Sequence, residues 1–373
     1  MTPSSATVNR IGSVLAKVSA VTLMTGALFI AGFGADAPQT TELRVPAQCQ
    51  ADPPATIVLV AIDGVRWQEV YEGTDSKLGD GAKRSARELT PNLHALADRG
   101  VALGAPGSGE SFSASGPNFV SLPGYTEMLT GQPATCLEND CTDPPSFTLL
   151  DAFAAGRDPR KVASLSSWTN IEHIAASHGS PALVSAGRTG GDTRNVMEAD
   201  PMLAGMLERD ESASPSPGWG DYRADMNTTE LALGYLEHEQ PSFLFVSLGD
   251  TDEYAHQGDY SSYLAALQRA DDFIGDVMDI ADEWKREGRE TVIVVTTDHG
   301  RADDFKDHGR DYPESARTWL VAAGGPIPAQ GFVASSQTRY LRDIAPTLAA
   351  IAGVPLEMGP SSGTVMSEMV PCR

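Results

Sequence analysis

The sequence predicts an α/β fold: a doubly wound, mostly parallel sheet with helices on both faces and a smaller cap or insertion. Several apolar, β-branched runs end abruptly in polar residues, which is typical of strands buried on both faces. Helical patterns alternate with these runs along the chain. With 373 residues, of which 41% are hydrophobic, the chain is long enough to bury one large core.

The predicted strands comprise residues 57–62, 243–248, 291–297 and 319–323. A helix is predicted after Thr90-Pro91, because threonine is a common N-cap and proline is favoured at the first helical position. Gly100 predicts the end of this helix. Residues 343–352 repeat the same helical pattern near the C-terminus. Strand and helix therefore alternate over most of the chain.

Residues 38–373 are predicted to form one domain with an internal departure from this pattern. The alternation loosens between about residues 185 and 235, and residues 211–218 are rich in serine and proline, which is typical of loops. We interpret the region at about 185–235 as a cap or insertion over one edge of the sheet.

Residues 1–37 have the pattern of an export signal peptide. Arg10 and Lys17 precede an uncharged run at residues 18–33, and Ala35-Asp36-Ala37 is a small-x-small cleavage site. A membrane anchor is the alternative, but the run is shorter than the roughly 20 residues that span a bilayer. We expect a periplasmic or secreted protein without a stable membrane anchor after cleavage.

Four cysteines follow this segment, at positions 49, 136, 141 and 372. In an oxidising compartment an even number predicts two disulfide bonds. Cys136 and Cys141 are close enough to close a small loop, which leaves Cys49 to pair with Cys372. Zinc binding by these thiols is the alternative, but the loop is acidic and has no neighbouring histidine.

The formal net charge is -23, from 50 acidic and 27 basic residues. A long polyanion would be repelled overall, so binding to a nucleic-acid polymer is not expected. A small phosphate ester can still bind an acidic protein if a local cation overrides the global field. The charge therefore favours metal ions at any phosphate site.

Acidic and histidine residues follow three of the predicted strands directly. Asp63 follows the first, Asp250 and Asp252 follow the second, and Asp298 and His299 follow the third. Open α/β sheets place their functional sites at this edge. A single aspartate there is usually a turn or helix cap, but three strands ending in this way indicate a site.

Two further histidines extend this set. His256 stands four residues after Asp252, so a helical turn would direct both side chains the same way, and His308 follows Asp298 after an acidic loop. A mixture of carboxylate and imidazole ligands suits zinc, with manganese or iron as alternatives. The other histidines have no comparable context and are expected to be ordinary surface or core residues: His94, His173, His178 and His238.

Ser121 is the candidate nucleophile. It precedes a predicted helix with Pro123 in the first turn and Gly131 near the end, and a helix N-terminus favours an anion. The alternative is that Ser121 only caps the helix. Beside several candidate metal ligands, its hydroxyl is expected to be activated, since a bound cation lowers the pKa of an oxygen ligand.

An ordered set of short motifs runs along the chain: Ile62-Asp63-Gly64, Thr90-Pro91-Asn92-Leu93, Ser121-x-Pro-Gly-Tyr, Leu129-Thr130-Gly131, Asp252-x-x-x-His256, Asp298-His299-Gly300, His308 and Asp343-Ile344-Ala345-Pro346-Thr347. No single motif is specific, but the ordered set is. With these motifs the sequence resembles the alkaline phosphatase superfamily from about Thr56 to Val354, and more closely its phosphodiesterase, nucleotide pyrophosphatase and related phosphatase branches.

The resemblance implies a hydrolase of small phosphate esters that acts through a covalent phosphoserine on Ser121. It implies two zinc ions, one held by Asp63, Ser121, Asp298 and His299, and the other by Asp252, His256 and His308. It also implies an asparagine beyond the nucleophile helix that holds a nonbridging phosphate oxygen. Asn139, between the two paired cysteines, is the candidate, although its spacing departs from the usual one.

Other functions remain open at this point. Phosphodiesters, pyrophosphates and phosphonates, or phosphoryl transfer to another acceptor, could use the same residues. A sulfatase is disfavoured because its signature places arginine where this chain has Tyr125. An exported ion- or carbohydrate-binding protein is the non-enzymatic alternative, but calcium prefers all-oxygen sites and three histidines argue against it.

Overall fold

The computed structural model describes residues 41–42, 54–79, 83–155, 161–192, 201–202, 204–206 and 216–370. The proposed signal segment, Cys49 and Cys372 lie outside these residues, so signal cleavage and the second disulfide stay predictions. Cys136 and Cys141 form the predicted disulfide bond. Among the described residues, no helix combines the length and apolarity needed to cross a membrane.

A nine-stranded sheet organises the described part of the chain, with the order β12-β3-β11-β9-β2-β8-β5-β6-β7. The strands, including those of two small sheets, are β1 (Thr41–Glu42), β2 (Thr56–Ile62), β3 (Gly100–Leu103), β4 (Phe112–Ser113), β5 (Val162–Ser166), β6 (Leu183–Ala186), β7 (Gly190–Gly191), β8 (Phe243–Leu248), β9 (Thr291–Thr296), β10 (Arg317–Thr318), β11 (Leu320–Ala323), β12 (Gly331–Phe332), β13 (Arg339–Tyr340) and β14 (Glu357–Met358).

The centre of this sheet is parallel. Strands β9, β2, β8, β5 and β6 run in one direction, whereas β11 is antiparallel to both β3 and β9. Every residue of β2, β8 and β9 is buried, which explains why these segments are continuously apolar instead of alternating. The predicted mostly parallel sheet is confirmed.

Helices cover both faces of the sheet. The helices are α1 (Trp67–Tyr71), α2 (Ala86–Leu89), α3 (Pro91–Arg99), α4 (Ser121–Thr130), α5 (Leu149–Ala154), α6 (Asp225–Glu239), α7 (Asp250–His256), α8 (Tyr260–Arg286) and α9 (Ile344–Ala352). Alternate β2 residues point to opposite faces: Ile57 and Leu59 pack into one buried cluster with α4, α5 and α9, and Val58 and Val60 pack into the other with α3, α6 and α8.

The central three strands fix the position of the strand-end residues. In the paired register Ile62 lies opposite Leu248, and Ala61 lies opposite Thr296. The chain therefore leaves β2, β8 and β9 at the same edge and at nearly the same height. Asp63, Asp250 and Asp298 follow these exits within one or two residues.

The interval at about 185–235 differs in part from the predicted cap. Its first residues belong to β6 and β7 at the sheet edge, and its last residues belong to α6 in a helix layer. These ends are part of the main α/β architecture because they carry buried apolar side chains. The middle lies partly outside the described residues, and a cap there stays a prediction.

One local expectation, the cap at Thr90, meets a different outcome, whereas the predicted helix end at Gly100 is confirmed. Helix α3 begins at Pro91 as predicted, but no side-chain cap comes from Thr90, whose hydroxyl donates to the carbonyl of Ala86. The short helix α2 directly before α3 offers that carbonyl. Gly100 ends α3 and also opens β3.

Candidate metal centre and nucleophile

Four side chains converge at the exits of β2 and β9 and at the start of α4, and we call them the inner cluster: Asp63, Ser121, Asp298 and His299. The Ser121 hydroxyl lies 3.4 Å from Asp63 Oδ1 and 3.3 Å from His299 Nε2. His299 Nε2 is 3.4 Å from Asp63 Oδ1 and 3.2 Å from Asp298 Oδ2. All four residues are buried.

Three of these side chains have two polar atoms each. In each of them a neighbouring group contacts one polar atom, and the other polar atom faces the centre of the cluster. Tyr125 donates to Asp63 Oδ2 at 3.1 Å, and the Gly64 amide donates to Asp298 Oδ1 at 3.0 Å. His299 Nδ1 lies 2.8 Å from its neighbouring carbonyl at Gly300. Asp298 Oδ2 is left buried without a hydrogen-bond partner among the described residues.

A second group lies beside the first, and we call it the outer cluster: Asp252, His256 and His308. Asp252 and His256 share helix α7 at a spacing of four, and Oδ2 of the aspartate is 3.1 Å from Nε2 of the histidine. His308 Nε2 lies 3.1 Å from His256 Nε2. His308 Nδ1 is 2.9 Å from the carbonyl of Phe119, which directs Nε2 toward the cluster.

His299 joins the two clusters. Its ring stacks on that of His308 with centroids 3.9 Å apart. Potential ligand atoms of Asp63, Asp298 and His299 lie within 4.8 Å of one another, and so do those of Asp252, His299 and His308. All seven residues expected from the sequence as metal ligands are thus brought together at one site.

The inner cluster holds acidic groups in an environment that disfavours their charge. Burial, with Asp298 and Asp252 nearby, raises the pKa of Asp63 well above its ordinary value. Burial also raises the pKa of Asp298 to about 7 and lowers the pKa of His299 to about 4. A divalent cation would stabilise the charge of these two buried carboxylates, which lie beside a neutral imidazole.

The guanidinium of Arg301 places a positive charge beside the outer cluster. Burial by itself would raise the pKa of Asp252, but Arg301, with His256 and His308, holds it well below its ordinary value. The hydrogen bond that His256 donates to Asp252 raises the pKa of His256, whereas burial and the neighbouring His299 lower the pKa of His308 to about 3. His308 is therefore a neutral imidazole, the form that binds metals.

Ser121 is the first residue of α4, a helix of ten residues. Its hydroxyl lies at the positive end of the helix dipole. Asn139 also reaches this end, because its Oδ1 accepts from the Leu122 amide at 2.9 Å. The backbone carbonyl of Asn139 accepts from Asn170 at 2.8 Å. The structure thus places Asn139 beside the candidate nucleophile.

Sequence reasoning missed several residues that shape this site. Arg301 contacts Asp252, Tyr125 contacts Asp63, and the Thr251 hydroxyl donates to the Asp63 carbonyl at 2.6 Å. The sequence signal for Arg301 is its position directly after Asp298-His299-Gly300. A cationic side chain next to several acidic residues is expected to pair with one of them. The sequence marks Tyr125 as part of the Ser121-x-Pro-Gly-Tyr motif and as a departure from the sulfatase signature, but not as a partner of Asp63.

Comparisons with known proteins find a family match and shared folds. Residues 205–354 match the model of the Metalloenzyme superfamily; this segment contains the outer cluster, Asp298 and His299. The 2,3-bisphosphoglycerate-independent phosphoglycerate mutase of Symbiobacterium thermophilum is 26% identical over 145 residues, which cover 38% of this chain and 27% of the mutase. The chain thus spans about a quarter of the length of this relative.

Solved structures share the fold over most of the described chain. Alkaline phosphatase PafA superposes with a TM-score of 0.54 at 13% identity, covering 86% of this chain and 100% of PafA. Phosphonate monoester hydrolase SpPMH from Silicibacter pomeroyi superposes with a TM-score of 0.51 at 15% identity, covering 84% of this chain and 76% of the hydrolase. BT1596, a 2-O GAG sulfatase, superposes with a TM-score of 0.53 at 14% identity, covering 85% of this chain and 74% of the sulfatase. The expected alkaline phosphatase-like fold is therefore confirmed, and the family match at residues 205–354 supports the resemblance in sequence.

Proposed function

We propose that this chain hydrolyses phosphate esters with two divalent cations, and that Ser121 is the nucleophile. One observation carries the proposal: four donor atoms of the inner cluster converge at separations of 3.2 to 3.4 Å. One of them, Asp298 Oδ2, is buried without a hydrogen-bond partner among the described residues. A buried acceptor in this state costs free energy unless a cation satisfies it.

The donor set fits zinc, with manganese or iron as alternatives. The inner cluster offers two carboxylates, a hydroxyl and an imidazole, and the outer cluster offers a carboxylate and two imidazoles, a mixture that zinc accepts. When bound, the two cations would neutralise phosphate charge and favour both the attacking and the leaving oxygen of an in-line displacement. Their proposed ligands are Asp63, Ser121, Asp298 and His299 for one cation, and Asp252, His256 and His308 for the other.

Ser121 would supply the covalent step. Its Oγ attacks phosphorus, the bond from phosphorus to the leaving-group oxygen breaks, and the serine proton ends on the released alcohol. The developing charge lies at the N-terminus of α4, where the helix dipole favours an anion. Water then attacks the phosphoserine, the bond from phosphorus to Oγ breaks, a proton from the water restores the Ser121 hydroxyl, and inorganic phosphate is released.

Asn139 would hold the phosphate in place. Its Oδ1 accepts from the Leu122 amide, so the remaining polar group of the side chain is the NH2. Those N–H donors lie beside the start of α4 and suit a nonbridging phosphate oxygen. Asn139 is thus proposed to orient the ester and not to take part in proton transfer.

The substrate would be a small phosphate ester, since the net charge of -23 opposes a nucleic-acid polymer. Monoesters, diesters and phosphonates could all enter the same reaction. Transfer of the phosphoryl group to an alcohol is a second candidate function, favoured by the relationship to a mutase. Products formed in the presence of an added alcohol distinguish transfer from hydrolysis.

Sulfate-ester hydrolysis is less well supported. Tyr125 stands where the sulfatase signature requires arginine, and it is fully buried with its hydroxyl on Asp63. The position is thus occupied by a residue that orients a proposed metal ligand. Ser121 is proposed to stay a hydroxyl and not to mature to formylglycine.

We also propose export of the protein. The Cys136–Cys141 disulfide supports an oxidising compartment, and the signal pattern at residues 1–37 supports secretion. N-terminal sequencing of the mature protein tests cleavage after residue 37.

Ser121→Ala tests the nucleophile. If Ser121 were only a helix cap, the substitution would cost about 1 kcal/mol of stability and leave turnover largely intact. We expect a loss of at least about 10³-fold in turnover of aryl phosphate esters, with near-normal metal content. Ser121→Thr should keep part of the activity because it keeps a hydroxyl.

Acid quenching during turnover provides the second arm of this experiment. A phosphate should be trapped on the peptide that contains Ser121 in the wild type and be absent in Ser121→Ala. An alanine variant with near wild-type turnover, together with no trapped phosphopeptide, would show that Ser121 is not the nucleophile even if the metals bind as proposed.

A further inference from the structure

Arg301 is a buried cation that the proposed reaction does not use. Its side chain has no exposed surface, so it cannot meet a substrate that arrives from solvent. Arg301 Nη1 contacts Asp252 Oδ1 in the outer cluster. Its location at a proposed metal centre calls for a role, because a positive charge there opposes a divalent cation.

The guanidinium uses all three of its nitrogens. Besides the contact with Asp252, Nε donates to the Phe305 carbonyl at 2.6 Å and Nη2 donates to the Lys306 carbonyl at 2.7 Å. Both carbonyls belong to the turn that leads to His308. One side chain therefore connects the aspartate of α7 with the turn that carries the last histidine of the outer cluster.

This turn needs such support because its backbone is strained. Phe305 has a φ of +74°, in the left-handed region that non-glycine residues rarely adopt. Its buried ring makes edge contacts with Tyr260 and Tyr263, with centroids 5.1 and 4.9 Å away. The packing of this ring and the two hydrogen bonds from Arg301 both hold the turn that precedes His308.

Gly64 packs directly against the pair formed by Arg301 and Asp252. Its φ is +62°, and a Cβ at this position would collide with Arg301 Nη1 and Asp252 Oδ1. The close approach leaves no room for either side chain to shift toward β2. Arg301 thus keeps Asp252 Oδ1 engaged and leaves Oδ2 facing His256.

We propose that Arg301 is a positioning residue that prearranges Asp252 and His308 for the outer metal ion. This inference rests on the proposed two-metal function. Two effects of Arg301 oppose each other: its charge repels a divalent cation, whereas its three contacts order two ligands from different segments. The positioning effect dominates in this proposal, because neighbours that orient metal ligands typically contribute 10- to 100-fold in affinity.

The test measures zinc affinity by competition with a chromophoric chelator and does not depend on activity. Arg301→Met removes the charge and all three contacts, so the affinity for one of two zinc ions should fall by about 10- to 100-fold. Arg301→Lys keeps the charge but cannot reach Asp252 and both carbonyls together, and its affinity should also fall by about 10-fold. Measurement in an Asp298→Asn background assigns the loss to the outer centre.

Arg339→Met is the matched control. Arg339 is equally buried but binds Glu368 and Thr364, away from the clusters, so its loss should lower stability without changing zinc affinity. Unchanged or tighter zinc binding in Arg301→Met would overturn the inference, as would wild-type affinity in Arg301→Lys. If the methionine variant does not fold, the lysine variant decides. A wild type that binds neither zinc nor manganese nor iron would instead refute the proposed function.

Discussion

Two buried acidic clusters lie at the same edge of the sheet and differ in how their oxygens are satisfied. The inner cluster contains Asp63 and Asp298. The second group, which we call the Asp225 cluster, comprises Asp225, Asp250 and Tyr222. Burial raises the pKa of acids in both, to about 7 for Asp298 and about 8 for Asp225. Burial and charge alone therefore do not distinguish a metal site from a structural one.

The hydrogen bonds do distinguish them. Asp225 accepts from the Ser167 hydroxyl at 2.6 Å and from the amides of Gly249 and Asp250 at 2.8 and 2.9 Å. Asp250 accepts from Tyr222 at 2.9 Å. In the inner cluster, an oxygen of Asp298 has no hydrogen-bond partner among the described residues. The protein satisfies the Asp225 cluster with its own donors, whereas the inner cluster leaves an acidic oxygen for the proposed cation.

The largest expected difference between the clusters is in catalysis. Asp298→Asn replaces a proposed ligand and should lower phosphate-ester turnover by at least about 10²-fold. Asp225→Asn should leave turnover nearly unchanged but cost about 1–3 kcal/mol of stability, since its new NH2 would face backbone donors. Steady-state kinetics and urea unfolding of both variants measure this contrast. Equal losses of turnover in the two variants would remove the distinction.

The sequence predicted the inner cluster because strand ends, histidine spacing and the superfamily resemblance all pointed to the same residues. Position after β8 alone does not separate Asp250 from Asp252, because both follow this strand. Two residues apart on a helix, these side chains point to different sides, one to the Asp225 cluster and one to the metal site. The spacing of Asp252 from His256 was the only local signal that identified the ligand.

The sequence could not reveal the Asp225 cluster or the role of Arg301. Ser167, Asp225 and Gly249 are far apart in the chain and meet only through the packing of β5, α6 and β8. Arg301 was visible as a cation after Asp298-His299-Gly300, but its bonds to the carbonyls of a strained turn depend on the tertiary path of that turn. Such contacts have no periodicity for a sequence pattern to detect.

The next largest effect concerns the pH dependence of stability. The folded pKa of Asp225 is raised from 3.8 to about 8, so its contribution to stability is fully present below about pH 4 and is lost as pH rises through about 8. Asp250, Tyr222 and Arg269 are the titratable groups around it. The Asp225→Asn variant should lack this decline of the free energy of unfolding with rising pH.

Urea unfolding of zinc-saturated protein between pH 5 and 9 checks this expectation. The free energy of unfolding of the wild type minus that of Asp225→Asn should fall as pH rises. A difference that is constant over this range would show that the amides and the Ser167 hydroxyl stabilise the charged carboxylate fully. The inner cluster makes no contribution to this difference because it is the same in both proteins.

The smallest effect concerns the disulfide loop that carries Asn139. Replacing Cys136 and Cys141 by serine opens a short loop and should cost about 2 kcal/mol of stability. Because Asn139 would be held less firmly against the Leu122 amide, KM for phosphate esters should rise several-fold. An Asn139→Ala variant with the disulfide intact should show a similar KM. An unchanged KM in both variants would show that Asn139 does not bind the phosphate of the substrate.

Zinc content per chain tests the central claim most directly. After chelation and dialysis into zinc-buffered solution, the wild type should recover about two zinc ions and its phosphate-ester turnover together. Asp225→Asn should also bind about two, whereas Asp298→Asn should lose the ion of the inner cluster. Full turnover in metal-free protein, or equal zinc content in Asp298→Asn and the wild type, would contradict the assignment of the inner cluster as a metal centre.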